Sequence, residues 1–146
     1  MNILVAVDFS DATESIVRQA EEIAAARSAK VWLIHVAEPE PDFVGYQPGP
    51  QAERDFLAER LHMEHRSIQR LAERMRATDL DVTALLVQGA TVETILEEAR
   101  KLKIDMIIVG SHGRGAMYQL LLGSVSEGVL RGAACPTLVV PACRRT

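Results

Sequence analysis

Aromatic residues are scarce: one Trp, two Tyr and three Phe make up 4% of the 146 residues. A core cannot be built from rings at that density, so it must be aliphatic, drawn from the Val, Ile, Leu and Ala in the 48% apolar fraction. Cysteine is scarcer still. Cys135 and Cys143 flank an aliphatic run, and an extended chain rising about 3.3 Å per residue holds them too far apart for an easy disulfide. Cys135 reads as a small buried residue and Cys143 as an exposed thiol. Neither reads as a redox group, which fits a reducing cytoplasm. A surplus of positive charge is also missing. The formal net charge of −4 argues against general nucleic-acid binding, which needs a basic face, and lends no support to a membrane-surface role. No apolar run approaches the roughly 18 residues of a membrane span. The opening Met1-Asn2-Ile3-Leu4-Val5 lacks the basic region of a signal peptide, so none is expected.

Five short aliphatic runs are present: Ile3 to Val7, Val31 to Val36, Val82 to Val87, Met106 to Val109 and Thr137 to Val140. They are rich in β-branched residues and mostly continuous, as strands are when both faces are covered in a parallel sheet. Apolar stripes at three- and four-residue spacing lie between them. One runs through Ile16, Ala20, Ile23 and Ala24. A longer one runs from Phe56 or Leu57 through Leu61, Ile68, Leu71 and Met75. A third takes Val92, Ile95, Leu96, Ala99 and Leu102, and a short fourth takes Val125, Val129 and Leu130. Each predicts an amphipathic helix with one buried face. Asp11 with Glu14, and Ser124 with Glu127, have capping-box spacing. Thr91 can cap the third helix. Gly132 sits where a helix stop is expected, and Pro136 bars continuation. Repeated strand–helix alternation predicts an α/β sandwich, a five-stranded parallel sheet with helices on both faces, in a single domain over residues 1–146.

Glycine concentrates where the fourth run ends. Met106-Ile107-Ile108-Val109 stops at Gly110-Ser111-His112-Gly113-Arg114-Gly115, and Gly123-Ser124-Val125-Ser126 opens the next helical segment. Glycine permits close backbone approach, and a helix N-terminus adds unpaired N–H donors and partial positive charge, so the segment suits phosphate and suggests a nucleotide. In a doubly wound sheet the ligand lies beyond the strands' carboxyl ends, where strand order reverses. If the first and fourth strands are neighbours, Asp8 shares that crevice. It either accepts hydrogen bonds from the nucleoside or only caps the first helix. Ser124 either caps its helix or bonds a phosphate, and Arg114 either screens phosphate charge or lies in solvent. The loop is no Walker A motif, because Gly-Lys-Ser/Thr is absent, and no dinucleotide fingerprint, because Asp8-Phe9-Ser10-Asp11 has no glycine. The proline-rich stretch Ala37 to Pro50 is either a lid or a connector. His112 reads as a backbone donor rather than a catalytic base, and His35 as a satisfied core residue. His62 and His65, with Glu59 nearby, read as a solvated helix face. No residue set advertises an enzyme.

Gly110, two residues, Gly113, nine residues and Gly123-Ser124 match the G-x2-G-x9-G-[ST] pattern of the universal stress protein family. Val5-Ala6-Val7-Asp8, Leu33-Ile34-His35-Val36, Gln88-Gly89, Asp105 to Gly110 and Cys135 to Pro141 resemble that family across essentially the whole chain. The resemblance implies a Rossmann-like sheet of order 3-2-1-4-5 and a member of the ATP-binding branch. ATP, with Mg2+ or Mn2+ on its phosphates, would be contacted by Asp8 and the backbone around Val36. Gly110, Gly113, Gly123 and Ser124 would cradle the phosphates, with Ser111, His112, Arg114, Val125 and Ser126 beside them. It also implies a homodimer through Thr137 to Val140 and a cytoplasmic, non-enzymatic stress-response switch read by a protein partner. The alternatives are a nucleotide-independent interaction module or a weak ATPase. Phe9 departs from the pattern, standing where many relatives carry glycine.

Overall fold

Every aliphatic run forms a strand. The computed structural model describes residues 1–39, 51–112 and 122–142. In chain order these form β1 (Asn2–Ala6), α1 (Thr13–Arg27), β2 (Lys30–Ala37), α2 (Gln51–Arg76), β3 (Val82–Gln88), α3 (Thr91–Lys101), β4 (Met106–Gly110), α4 (Ser124–Gly132) and β5 (Thr137–Val140). The strands are parallel and ordered β3-β2-β1-β4-β5. β1 lies between β2 and β4, with Val5 opposite Leu33 on one side and Ile108 on the other.

Why the runs are continuous follows from where alternate side chains go. Ile3, Val5, Val31, Leu33 and Ile108 enter one buried cluster with α1 and α2. Leu4, Ile34, Val36, Ile107 and Val109 enter a second with α3 and α4. Helices on both faces leave a central strand no polar side, so an alternating pattern would place polar groups in a core.

Of the two residues offered for the start of the α2 stripe, Leu57 is half-buried and Phe56 is 65% exposed. Other local expectations fail. Leu130 is exposed, leaving Val129 as the buried residue of α4. None of the capping residues caps. α1 starts after Ala12, α3 after Ala90 and α4 after Gly123, each without a side-chain cap hydrogen bond. Thr91 instead donates its hydroxyl to Glu38 Oε1 at 2.8 Å, and Glu127 pairs with Arg131 at 2.7 Å. The helix does stop at Gly132, which is its last residue. A Cβ there would lie 2.5 Å from Leu96 Cδ1, and one on Gly128 would lie 2.8 Å from Val92 Cγ2. These two glycines, one turn apart, let α4 press against α3. Among the described residues no helix is long and apolar enough to cross a membrane.

Candidate functional site

The reversal of strand order puts the carboxyl ends of β1 and β4 side by side, as the crevice argument requires. Beyond β1, the Val7 N–H donates to Ile34 O at 2.9 Å, which extends the pairing to the edge of the turn. Asp8 is half-buried there, and its Oδ1 accepts the Ser10 N–H at 2.9 Å. This is the local Asx-type bond of the capping alternative, made ahead of the helix rather than at its cap. Phe9 follows with φ of 59°, a left-handed conformation that suits glycine and is rare for a bulky side chain. Its ring lies 4.6 Å from that of His35.

At the end of β4, the Ser111 N–H donates to Val140 O at 2.8 Å, and Ser111 O accepts the Gly123 N–H at 2.7 Å. The chain that leaves the sheet at Ser111 is thus fastened back to it at Gly123. Gly110 is glycine for a reason inside the fold: a Cβ would sit 3.0 Å from Ile16 Cδ1 and 3.5 Å from Ala12 Cβ, so the start of α1 closes directly over this residue. Ser111 Oγ and His112 Nδ1 are 2.9 Å apart, and the buried His112 Nε2 has no hydrogen-bond partner among the described residues. Ser126, 2% exposed, donates its hydroxyl to Gly110 O. Gly113 and Arg114 lie outside the described residues, as do Cys143 and most of the Ala37 to Pro50 stretch.

Gly123 is extended and Ser124 opens α4. The first intrahelical bond is Glu127 N–H to Gly123 O at 3.0 Å, so the N–H groups of Ser124, Val125 and Ser126 have no acceptor within the helix. Ser124 and Val125 line a cleft of about 410 Å³ whose other wall includes Glu38, Gly89, Thr91 and Glu93. The helix end puts partial positive charge on one side and the carboxylates of Glu38 and Glu93 lie on the other, with Pro39, Ala90, Val92 and Val125 as apolar lining between them. The Val36 side chain points into the α3/α4 core. One residue on, Ala37 O accepts the Gly89 N–H at 3.2 Å, which ties the end of β2 to the β3–α3 turn beside the cleft.

Sequence reasoning passed over Glu38, although an acidic residue just past a strand's carboxyl end was a usable signal. It also passed over Gly128 and the pairing of His35 with Glu64 on α2, for which the sequence holds no signal. His62 and His65 are exposed on α2.

The fold is that of the doubly wound α/β class, in which ligand sites lie beyond the strands' carboxyl ends at the switch point. Residues 1–141 match the model of the universal stress protein family, and the chain belongs to that family. A universal stress protein of Thermus aquaticus is 37% identical over 144 residues, covering 94% of this chain and 96% of its own. The solved structure of MJ0577, a universal stress protein of Methanocaldococcus jannaschii, superposes with a TM-score of 0.81 at 26% identity, covering 98% of this chain and 96% of that one. A universal stress protein solved in complex with cAMP superposes with a TM-score of 0.69 at 25% identity, covering 98% of both chains.

Proposed function

We propose that this protein binds a nucleotide, ATP in the first instance, at the crevice between β1 and β4, and acts as a dimeric regulatory switch rather than an enzyme. The observation behind this reading is the meeting of the glycine-terminated end of β4 with the uncapped N-terminus of α4, beside Asp8 and a cleft of about 410 Å³. The N–H groups of Ser124 to Ser126 and the helix dipole would hold phosphate oxygens. Asp8 and the backbone past Val36 would face the nucleoside, and Gly113 and Arg114 would complete the phosphate loop. A relative solved with cAMP supports an adenine nucleotide as the ligand class. Mg2+ or Mn2+ would ride on the phosphates and offset their charge. The edge position of β5, with Thr137, Leu138 and Val139 only half-buried, supports pairing of two copies through that strand. A protein partner would read the nucleotide-dependent state.

Equilibrium binding of fluorescent ATP tests the reading. Wild-type protein should bind at micromolar levels, and Gly113→Val combined with Gly123→Val should abolish binding while the circular dichroism spectrum is kept. Undiminished binding by that folded double variant removes the site. Turnover that survives extensive purification replaces the switch with a weak ATPase.

A further inference from the structure

The turn carrying Asp8 and Phe9 rests on His35, whose ring is fixed from two sides. Val7 O lies 2.8 Å from His35 Nδ1. A carbonyl only accepts, so Nδ1 carries the hydrogen. Phe9 covers the ring at 4.6 Å while holding φ at 59°, a conformation a bulky residue keeps only where its surroundings impose it. The contact between the rings is therefore part of what holds the turn.

His35 Nε2 faces a different element. Glu64 Oε2, on α2, is 3.7 Å away. It is buried and has no hydrogen-bond partner among the described residues. Glu64 Oε1 lies 3.8 Å from Arg60 Nε. Arg60 Nη2 donates to Glu38 O at 3.2 Å, and Glu38 Oε1 accepts from Thr91. Polar contacts thus run from the Asp8–Phe9 turn, through His35, to the Glu38 wall of the cleft. With His35 neutral, Nε2 and Glu64 Oε2 are two acceptors opposed across 3.7 Å. A proton on Nε2 makes one a donor and creates a charge-assisted pair.

We infer that His35 is a positioning residue for the nucleoside side of the cleft, and that a proton on Nε2 shared with Glu64 locks the Asp8–Phe9 turn and the Glu38 wall together. The inference rests on the nucleotide reading above. From α2, Glu64 is the charged group facing Nε2, and Arg60 lies against the far oxygen of that carboxylate. Asp8 is the acidic group of the turn, while Leu86, paired with His35 on β3, and Val7 bring no titratable side chain. Acidification should tighten nucleotide binding, and by linkage the nucleotide should draw a proton onto His35.

The test compares wild type with Glu64→Gln, whose amide N–H₂ can donate to neutral Nε2 and so supplies the contact without a proton. ATP affinity is measured at about pH 8 and about pH 5.5, the range in which histidine changes charge. Protonation of ATP itself affects both proteins alike. Wild type should gain about fivefold more affinity on acidification than the variant does. Nitrogen NMR of the His35 ring in ATP-free protein should show the Nδ1–H tautomer at the higher pH, and a titration moved to lower pH in Glu64→Gln. An Nε2–H tautomer, or identical titrations, overturns the pairing. Equal pH dependence of ATP affinity in both proteins overturns the positioning role and leaves nucleotide binding standing. Failure of wild type to bind ATP or cAMP at either pH overturns the nucleotide reading and the positioning role with it, while the NMR still reports on the His35–Glu64 pair.

Discussion

The hydroxyl of Ser126 donates to the carbonyl oxygen of Gly110, fastening the first turn of α4 to the last residue of β4. Ser124, two residues earlier, makes no side-chain cap bond and faces the cleft. Two serines of one helical turn therefore have different duties. Ser126→Ala removes the donor from a buried carbonyl and should cost about 1 kcal/mol or somewhat more, a fall of roughly 2–4 °C in Tm, with nucleotide affinity falling less than in Ser124→Ala. Ser124→Ala should change stability by less than about 0.5 kcal/mol while weakening ATP binding. Calorimetric unfolding of both variants, paired with ATP titrations, separates the two roles. The reverse pattern would reassign them.

The α3/α4 contact offers a second test. Gly→Ala inside a helix ordinarily gains about 1 kcal/mol from propensity. At Gly128 the new Cβ would meet both Cγ atoms of Val92, at 2.8 and 3.0 Å. Val92 is β-branched and stiff about χ1, so it cannot turn aside. Overpacking costs about 1–3 kcal/mol, and Gly128→Ala should be destabilising overall. Gly132→Ala meets Leu96 Cδ1 at 2.5 Å, but that atom ends a flexible side chain, so the change should be close to neutral. Urea midpoints at constant m-value check the order.

Cys135 gives a prediction in pH. Burial, aided by the negative charge of Asp105, pushes its thiol up, with only a partial offset from the Ile107 backbone hydrogen bond. Its folded-state pKa therefore exceeds its unfolded one. The unfolded chain ionises first, so folding loses stability as pH rises from the unfolded thiol pKa through the folded one. In a Cys143→Ser background, Cys135 should alkylate severalfold more slowly in the folded protein than in urea at mildly alkaline pH. Equal rates would show that burial leaves the thiolate undisturbed.

The legibility of this fold has a local cause. β-branched runs without alternation identify strands covered on both faces, whatever their partners. Residues such as Ile3, Leu4 and Val5 therefore announced a parallel sheet before any topology was known. Helix starts were less legible. Asp11 and Ser124 have capping-box spacing, yet α1 begins only after the Asp8–Ser10 turn, where the Thr13 N–H donates to Ser10 O at 3.0 Å. α4 begins at Ser124 itself, because Gly123 is drawn back to Ser111. The strand ends set both starting points.

The amino-acid order alone determined the element sequence, the aliphatic core and the glycine-bounded segment after β4, since each depends on neighbours a few residues apart. The meaning of individual residues was decided only by the packed chain. Gly110 yields room to α1, Gly128 and Gly132 to α3, and His35 meets Glu64 of a helix nearly thirty residues downstream. Such contacts join residues with no spacing rule between them, because closure of the sheet and its helices, not the run of the backbone, brings them within ångströms.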